Sequence, residues 1–206
     1  MGLPATPRTL VPILAFLAFA LLLWNTGNTP STMSSSSTSS SRDFDPSTAL
    51  SVSISGISSS SPPRVKLAVT NTHSTPVTLL RWNTPLDPMA LQLGVLSLTP
   101  QGASSPLELA TIALRRLMPP PEDQFVTIGP GETATNELEL KPPAVNPQEL
   151  GIAGKTVQVQ ASGEWGYVWP LGGDVVVSEW RDKIGGADSD GASRGSFVSD
   201  KHEVKF

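Results

Sequence analysis

The chain has 206 residues and no cysteine, which excludes a disulfide framework, a thiol nucleophile and a thiolate metal site. Its 14 Lys and Arg against 18 Asp and Glu give a formal net charge of -4, with no basic stripe for phosphate contacts. The composition therefore predicts no nucleic-acid partner and a fold that is held by apolar burial alone.

The chain begins with an apolar run, Leu10 to Trp24, after a leader whose only charged side chain is Arg8. As a helix this run reaches about 22 Å, less than the ~30 Å of a hydrocarbon core, which suits a cleaved signal peptide. The alternative is a signal-anchor, with Arg8 cytoplasmic and Trp24 at the far interface. Residues 1–24 are predicted to be one or the other, with cleavage favoured. Both place the rest in the secretory pathway, extracellular or at the cell surface, and the anchor would tether it to a membrane through residues 10–24.

Residues 25–47 are predicted to be a disordered linker. From Ser31 to Ser41 every position is Ser or Thr except Met33, and such a tract has too little apolar surface to form a core. A bare flexible linker and an O-glycosylated stalk both remain open.

Residues 48–206 are predicted to form one all-β domain. Apolar and polar residues alternate in several segments, and this period of two is typical of half-buried antiparallel strands. The clearest segments are 50–55, 65–70, 126–128, 137–141 and 157–161, and further apolar runs lie at 77–82, 94–98, 107–114 and 175–180.

Turn residues punctuate these segments. A hairpin is predicted around Gly129-Pro130-Gly131, residues 88–93 could form a short helical turn, and residues 197–206 read as a last strand. Many short strands without crossover helices predict an antiparallel β-sandwich.

Three aromatic residues, Trp165, Tyr167 and Trp169, alternate along one predicted strand. If they were exposed, the three rings would line one face and form a platform that stacks on sugar rings. The alternative is that they pack in the core or cover a sheet edge, as large aromatic residues commonly do.

Catalytic motifs are weak. Gly191-Ala192-Ser193-Arg194-Gly195 matches the nucleophile-elbow pattern, with Asp200 and His202 following. That elbow needs a buried strand before it and a helix after it, whereas here a polar loop precedes it and the chain ends soon afterwards. A serine hydrolase using Ser193 is therefore a remote alternative.

Metal motifs are equally incomplete. Asp188-Ser189-Asp190-Gly191 resembles the start of a calcium loop but lacks the closing Glu. His73 and His202 stand far apart in sequence, outside any zinc motif. No catalytic residue, cofactor or metal site is predicted.

Two adjacent features lie between residues 115 and 123, a dibasic pair and a Pro-rich loop. Arg115-Arg116 is a dibasic pair, which is either a processing site of the secretory route or an ordinary surface feature. The Pro-rich loop Leu117–Asp123 comes directly after it. Its prolines favour an extended backbone, which would lower the ordering cost of docking to a partner.

Two stretches carry a resemblance to a known family: residues 67–72 with Pro76 to Asp87, including Trp82-Asn83-Thr84-Pro85-Leu86-Asp87, and Phe125–Ile128 with Pro130-Gly131-Glu132. They resemble the non-catalytic N-terminal β-sandwich of fungal deuterolysin-type and peptidyl-Lys metalloendopeptidases, which also occurs alone in short secreted fungal proteins. The resemblance covers roughly residues 48–206 and implies an immunoglobulin-like sandwich without the zinc domain.

The sequence thus predicts a non-enzymatic, exported binding module. Its partner would be a protein, such as a protease, or a cell-wall polysaccharide, and its oligomeric state stays open.

Overall fold

The structure is a computed structural model that describes residues 44–58, 61–187 and 189–206. The predicted leader and the Ser/Thr tract, residues 31–41, lie outside the described residues. Within the described ranges, no helix has the length and apolarity needed to cross a bilayer.

Nine strands and two short α-helices form in the described part of the chain, and every strand pair is antiparallel. The strands are β1 (Leu50–Ser58), β2 (Arg64–Asn71), β3 (Val77–Leu80), β4 (Leu96–Pro100), β5 (Phe125–Ile128), β6 (Thr133–Glu139), β7 (Thr156–Trp169), β8 (Ser193–Val198) and β9 (His202–Lys205). The helices are α1 (Pro46–Ala49) and α2 (Gly173–Glu179), and 3-10 turns span Glu122–Gln124 and Arg181–Lys183.

One sheet has three strands, in the order β1-β2-β6. Successive side chains of a strand point to opposite faces, so one face of this sheet collects the apolar residues. Those buried on β1 and β2 are Leu50, Val52, Ile54, Val65, Leu67 and Val69. The alternation predicted for these two segments is confirmed.

The other sheet has six strands and is organised around β7. Val157 and Val159 of β7 pair with β4 on one side and with β9 on the other. Near the far end of β7, Val168 pairs with Leu79 of β3 and with Ser193 of β8, and β5 adds to β3. This long strand therefore joins all the short ones into a single sheet.

The main hydrophobic core takes side chains from both sheets, among them Leu67, Val69, Leu79, Leu98 and Val159. Two antiparallel sheets that share one core define a β-sandwich, so the predicted fold class is confirmed. A second, smaller cluster lies at the α2 end of β7, where Leu80, Trp169, Val176 and Ile184 are buried together.

The predicted hairpin around Gly129-Pro130-Gly131 is wrong. β5 pairs with β3 in the six-stranded sheet, whereas β6 pairs with β2 in the three-stranded sheet. The buried Asn71 at the end of β2 explains the crossing. Its side-chain amide donates to the carbonyls of Thr75 (2.9 Å) and Ile128 (2.8 Å), and its backbone N–H donates to the Glu132 carbonyl (3.0 Å). Asn71 thus holds the Gly129-Pro130-Gly131 turn at the point where the chain passes from the six-stranded sheet to the three-stranded sheet.

Four other segments differ from the sequence-based expectation. Residues 107–114 form no strand, and most of the run 175–180 belongs to α2. Residues 88–93 form hydrogen-bonded turns that are not assigned as a helix. The predicted last strand is divided into β8 and β9 at Ser199, whose Oγ accepts from the Ala161 N–H (2.9 Å). This side chain takes the place of a backbone acceptor and lets the register against β7 shift by one residue.

Candidate functional site

The aromatic platform predicted from Trp165, Tyr167 and Trp169 does not form as an exposed face. Trp165 is 1% exposed and Trp169 is 0% exposed. The cause is a register shift between β7 and β8 from Trp165 to Val168, which breaks the alternation on which the platform depends. The core-packing alternative therefore describes these two indoles.

The two tryptophans enter different cores. Trp165 packs on Phe197, with ring centroids 4.7 Å apart, in the main core. Gly163 lies opposite Phe197, and a Cβ there would come within 2.8 Å of that ring, so this position requires glycine. Trp169 belongs to the second cluster, and its Nε1 donates to the Asp190 carbonyl at 2.8 Å.

Tyr167 is half-buried and keeps contact with a surface cleft. Its ring stacks on Trp169 at 6.3 Å between centroids, and the Arg194 guanidinium lies 5.1 Å from it. Arg194 donates a hydrogen bond to the Asp190 carboxylate, which raises the pKa of Arg194 above its ordinary value. Tyr167 and Trp82 line a half-open cleft of about 360 Å³, together with Asn83 and Glu164, which we call the Trp82–Tyr167 cleft.

The hydrolase residues are held apart. Ser193 pairs with Val168 and His202 pairs with Val159, which are nine residues apart along β7. At ~3.3 Å per residue the separation is roughly 30 Å, far beyond hydrogen-bond reach. The structure therefore does not bring Ser193 and His202 together, as the remote hydrolase alternative would require.

The residues of the incomplete metal motifs are engaged with other groups or lie apart. The Asp190 carboxylate accepts from Arg194 (2.7 Å) and from the Ala192 N–H (3.1 Å). Asp188 lies outside the described residues. His73 Nδ1 lies 2.9 Å from Thr75 Oγ1, within its own turn. Among the described residues, no three His, Asp or Glu side chains converge as a metal site.

The segment Trp82 to Asp87 is a compact hydrogen-bonded loop built around a buried carboxylate. Asp87 accepts from the backbone N–H groups of Asn83 (2.9 Å) and Met89 (2.9 Å). Asn83 has φ 57°, a left-handed conformation that asparagine tolerates better than most residues. Asn136 of β6 donates to the Asp87 carbonyl at 2.8 Å, which fastens the loop to the three-stranded sheet.

Arg116 supplies the positive charge that this carboxylate needs. Its Nη2 lies 2.5 Å from Asp87 Oδ2, and the side chains are 24% and 0% exposed respectively. The guanidinium also lies 5.4 Å from the centroid of the Trp82 ring, a cation–π contact. Because an unpaired buried carboxylate is costly, this pair fixes the position of Arg116.

Arg116 belongs to an apolar segment, residues 106–121, that runs outside both sheets. Residues 106–117 contain no strand, turn or bend. Two backbone bonds hold the segment to the body: the Leu107 N–H donates to the Leu98 carbonyl (2.8 Å) and the Ile112 N–H to the Gln92 carbonyl (2.9 Å). The segment is thus extended and attached at several points.

The tip of this segment presents apolar side chains to solvent. Leu117 is 79% exposed and Met118 is 53% exposed, whereas Pro120 is buried. On the far side of the tip, Glu122 pairs with Arg181 at 3.0 Å. The exposed tip therefore stands between Arg116, which is paired with the buried Asp87, and the buried Pro120, which is the arrangement of a pre-organised contact surface.

Comparison with known proteins agrees with this architecture. A family model described as an immunoglobulin-like domain matches residues 49–206. The chain is also similar to a protein of Arthroderma benhamiae (strain ATCC MYA-4681 / CBS 112371) named "Uncharacterized secreted protein". The two are 35% identical over 163 residues, which cover 77% of this chain and 78% of that protein.

The chain belongs to the immunoglobulin-like domain family, and the predicted immunoglobulin-like sandwich is confirmed. The finer likeness, to the sandwich of deuterolysin-type peptidases, stays a prediction.

Sequence reasoning missed the pairing of Asp87 with Arg116, although it had singled out both residues for other reasons. The two are 29 positions apart, and no local pattern links them. The available signal was the placement of Asp87 directly after the apolar Leu86, a position where an acidic residue needs a partner when buried.

The adjacent arginines offer a matched test of this ion pair. We expect Arg116→Ala to lower the free energy of unfolding by about 3 kcal/mol, because it leaves the Asp87 carboxylate buried and unpaired. Arg115→Ala, on the exposed neighbour, should change it by less than about 0.5 kcal/mol. Urea denaturation followed by tryptophan fluorescence measures both. Equal losses from the two variants would contradict the assignment.

Proposed function

We propose that this protein is an exported, non-enzymatic binding module that contacts a protein partner through the tip of the apolar segment. The observation that carries the proposal is the exposure of Leu117 and Met118 between the anchored Arg116 and the buried Pro120. An apolar side chain that is held in place and left in water costs solvation free energy, and a partner that covers it recovers this cost.

Export is supported by two independent observations. The relative from Arthroderma benhamiae is named a secreted protein. The leader of this chain carries the apolar run Leu10 to Trp24 that suits a signal peptide or an anchor. The absence of cysteine is compatible with export because the large two-sheet core holds the fold by burial.

A binding role is favoured over catalysis by the geometry of the polar residues. Ser193 and His202 lie at opposite ends of β7, and Asp190 is engaged with Arg194. Asp87, the one acidic side chain that is fully buried among the described residues, is paired with Arg116.

An endopeptidase is the class of partner that the tip fits best. Endopeptidases bind extended chain in a groove and accept single side chains in pockets. Residues 114–117 offer a backbone without turns or bends, with Leu117 projecting and the run Pro119 to Pro121 stiffening the chain beyond it. Because the segment is already ordered, docking loses little conformational entropy. The resemblance to a sandwich that accompanies metalloendopeptidases points to the same class.

Binding and inhibition assays with purified secreted endopeptidases, both metallo and serine types, test this proposal on the full chain. We expect wild type to bind at least one of them and Leu117→Asp to weaken that binding at least tenfold, about 1.4 kcal/mol. Val198→Asp is the matched control, since Val198 is an apolar residue 64% exposed on β8. Failure of wild type to bind any of these enzymes, or equal weakening by both variants, would refute the assigned surface.

A second candidate is a cell-wall polysaccharide module that uses the Trp82–Tyr167 cleft. Two aromatic rings with Asn83 and Glu164 beside them combine stacking surfaces with hydrogen-bonding groups, which is the chemistry that sugar rings require. This cleft replaces the three-ring face, because Trp165 and Trp169 are buried.

Pull-down on insoluble chitin and β-glucan distinguishes the two candidates. If the cleft binds sugar, Tyr167→Ala should release the protein from the polymer while Leu117→Asp stays bound. Equal retention of wild type and Tyr167→Ala, or no retention of wild type, would reject the polysaccharide function.

A further inference from the structure

We infer that Arg115-Arg116 is a latent endoproteolytic site, and that the Asp87–Arg116 ion pair keeps it uncut. The cleaving class is the endopeptidases that act after paired basic residues. The reaction is hydrolysis of the Arg116–Leu117 peptide bond: water supplies OH to the Arg116 carbonyl carbon and a proton to the Leu117 nitrogen. The bond lies beside the proposed partner surface, but the inference requires no partner bound at Leu117 and Met118.

The backbone around the pair has the form that such an enzyme binds. Residues 106–117 are extended and free of turns, Arg115 is exposed, and Leu117 is 79% exposed. Arg115-Arg116 is also the one place in the 206-residue sequence where two Lys or Arg residues are adjacent. Sequence and backbone therefore both offer the bond for cleavage.

The side chain of Arg116, in contrast, is not available to such an enzyme. An enzyme of this class must take the guanidinium of the residue before the cut into its own acidic pocket. Arg116 is instead bonded to the fully buried Asp87 and lies over the Trp82 ring. Moving it out would leave the Asp87 carboxylate buried without a counter-charge, which is strongly unfavourable. We expect this to slow cleavage at least about 100-fold relative to the same residues in an unfolded peptide.

Strand pairing determines what a cut would do. Cleavage after Arg116 places β1 to β4 on one fragment and β5 to β9 on the other. These fragments remain joined through the β2–β6, β3–β5 and β4–β7 pairs. The cut would therefore free the segment ends at residues 116 and 117 while the sandwich stays assembled.

The test is digestion of the full chain with a purified endopeptidase specific for paired basic residues, followed by mass measurement of the fragments. We expect wild type to stay intact under conditions that cut a synthetic peptide of residues 110–122. We expect Asp87→Asn to be cut after Arg116 at least about 10-fold faster than wild type, because the counter-charge is gone. The double variant Asp87→Asn, Arg115→Ala should resist, since the pair is then broken.

A folding control separates release of Arg116 from general unfolding. We expect trypsin to spare Lys66 while the sandwich is folded, because Lys66 lies within β2, which is paired on both sides. If Asp87→Asn is cut there too, Trp82→Leu is the second test. It removes the ring under Arg116, together with the bond from Trp82 Nε1 to Gln124, but leaves Asp87 in place, and it should still speed cleavage after Arg116. Cutting of folded wild type at the peptide rate overturns the inference. The inference is also overturned if folded Asp87→Asn is cut no faster than wild type. If Asp87→Asn does not fold, the same result with folded Trp82→Leu overturns it.

Discussion

The buried carboxylate of Asp87 organises the part of this protein that lies outside the two sheets. It fixes the Trp82 to Asp87 loop through the backbone N–H groups of Asn83 and Met89, and it fixes the apolar segment through Arg116. An exposed ion pair contributes little to stability, but one partner of a buried pair cannot leave without a large desolvation cost. One charge therefore positions two stretches that are distant in sequence, and both proposed interaction surfaces border on them.

The aromatic residues show how a sandwich without disulfides closes its end. Trp169, Leu80, Val176 and Ile184 form the second cluster, and the N–H of Trp169 holds the loop at Asp190. Trp165 and Phe197 fill the main core instead. The apolar area that these large rings bury contributes stability that many small exported domains obtain from sulfur bridges.

The sheets could be predicted from sequence because alternation is local, as in Leu50, Val52 and Ile54, where period two by itself assigns the buried face. The burial of Trp165 and Trp169 could not be predicted in this way. It follows from a register shift between β7 and β8, which depends on the partner strand. The turn at Gly129 was predicted as a hairpin for a similar reason. Asn71, which is far away in sequence, determines that this turn connects the two sheets. In the candidate site, composition singles out the Pro-rich loop Leu117–Asp123 as a segment to test, whereas the pairing of Asp87 with Arg116 depends on the fold.

Amide hydrogen exchange at Ile112, followed by NMR in wild type and Arg116→Ala, tests most directly whether the buried pair holds the apolar segment in place. The Ile112 N–H bonds to the Gln92 carbonyl, so its protection reports how firmly the segment is attached. We predict exchange at least about tenfold faster at Ile112 in the variant, with β3 amides unchanged. Unchanged protection at Ile112 would show that other contacts hold the segment, and would contradict the organising role of the Asp87–Arg116 pair.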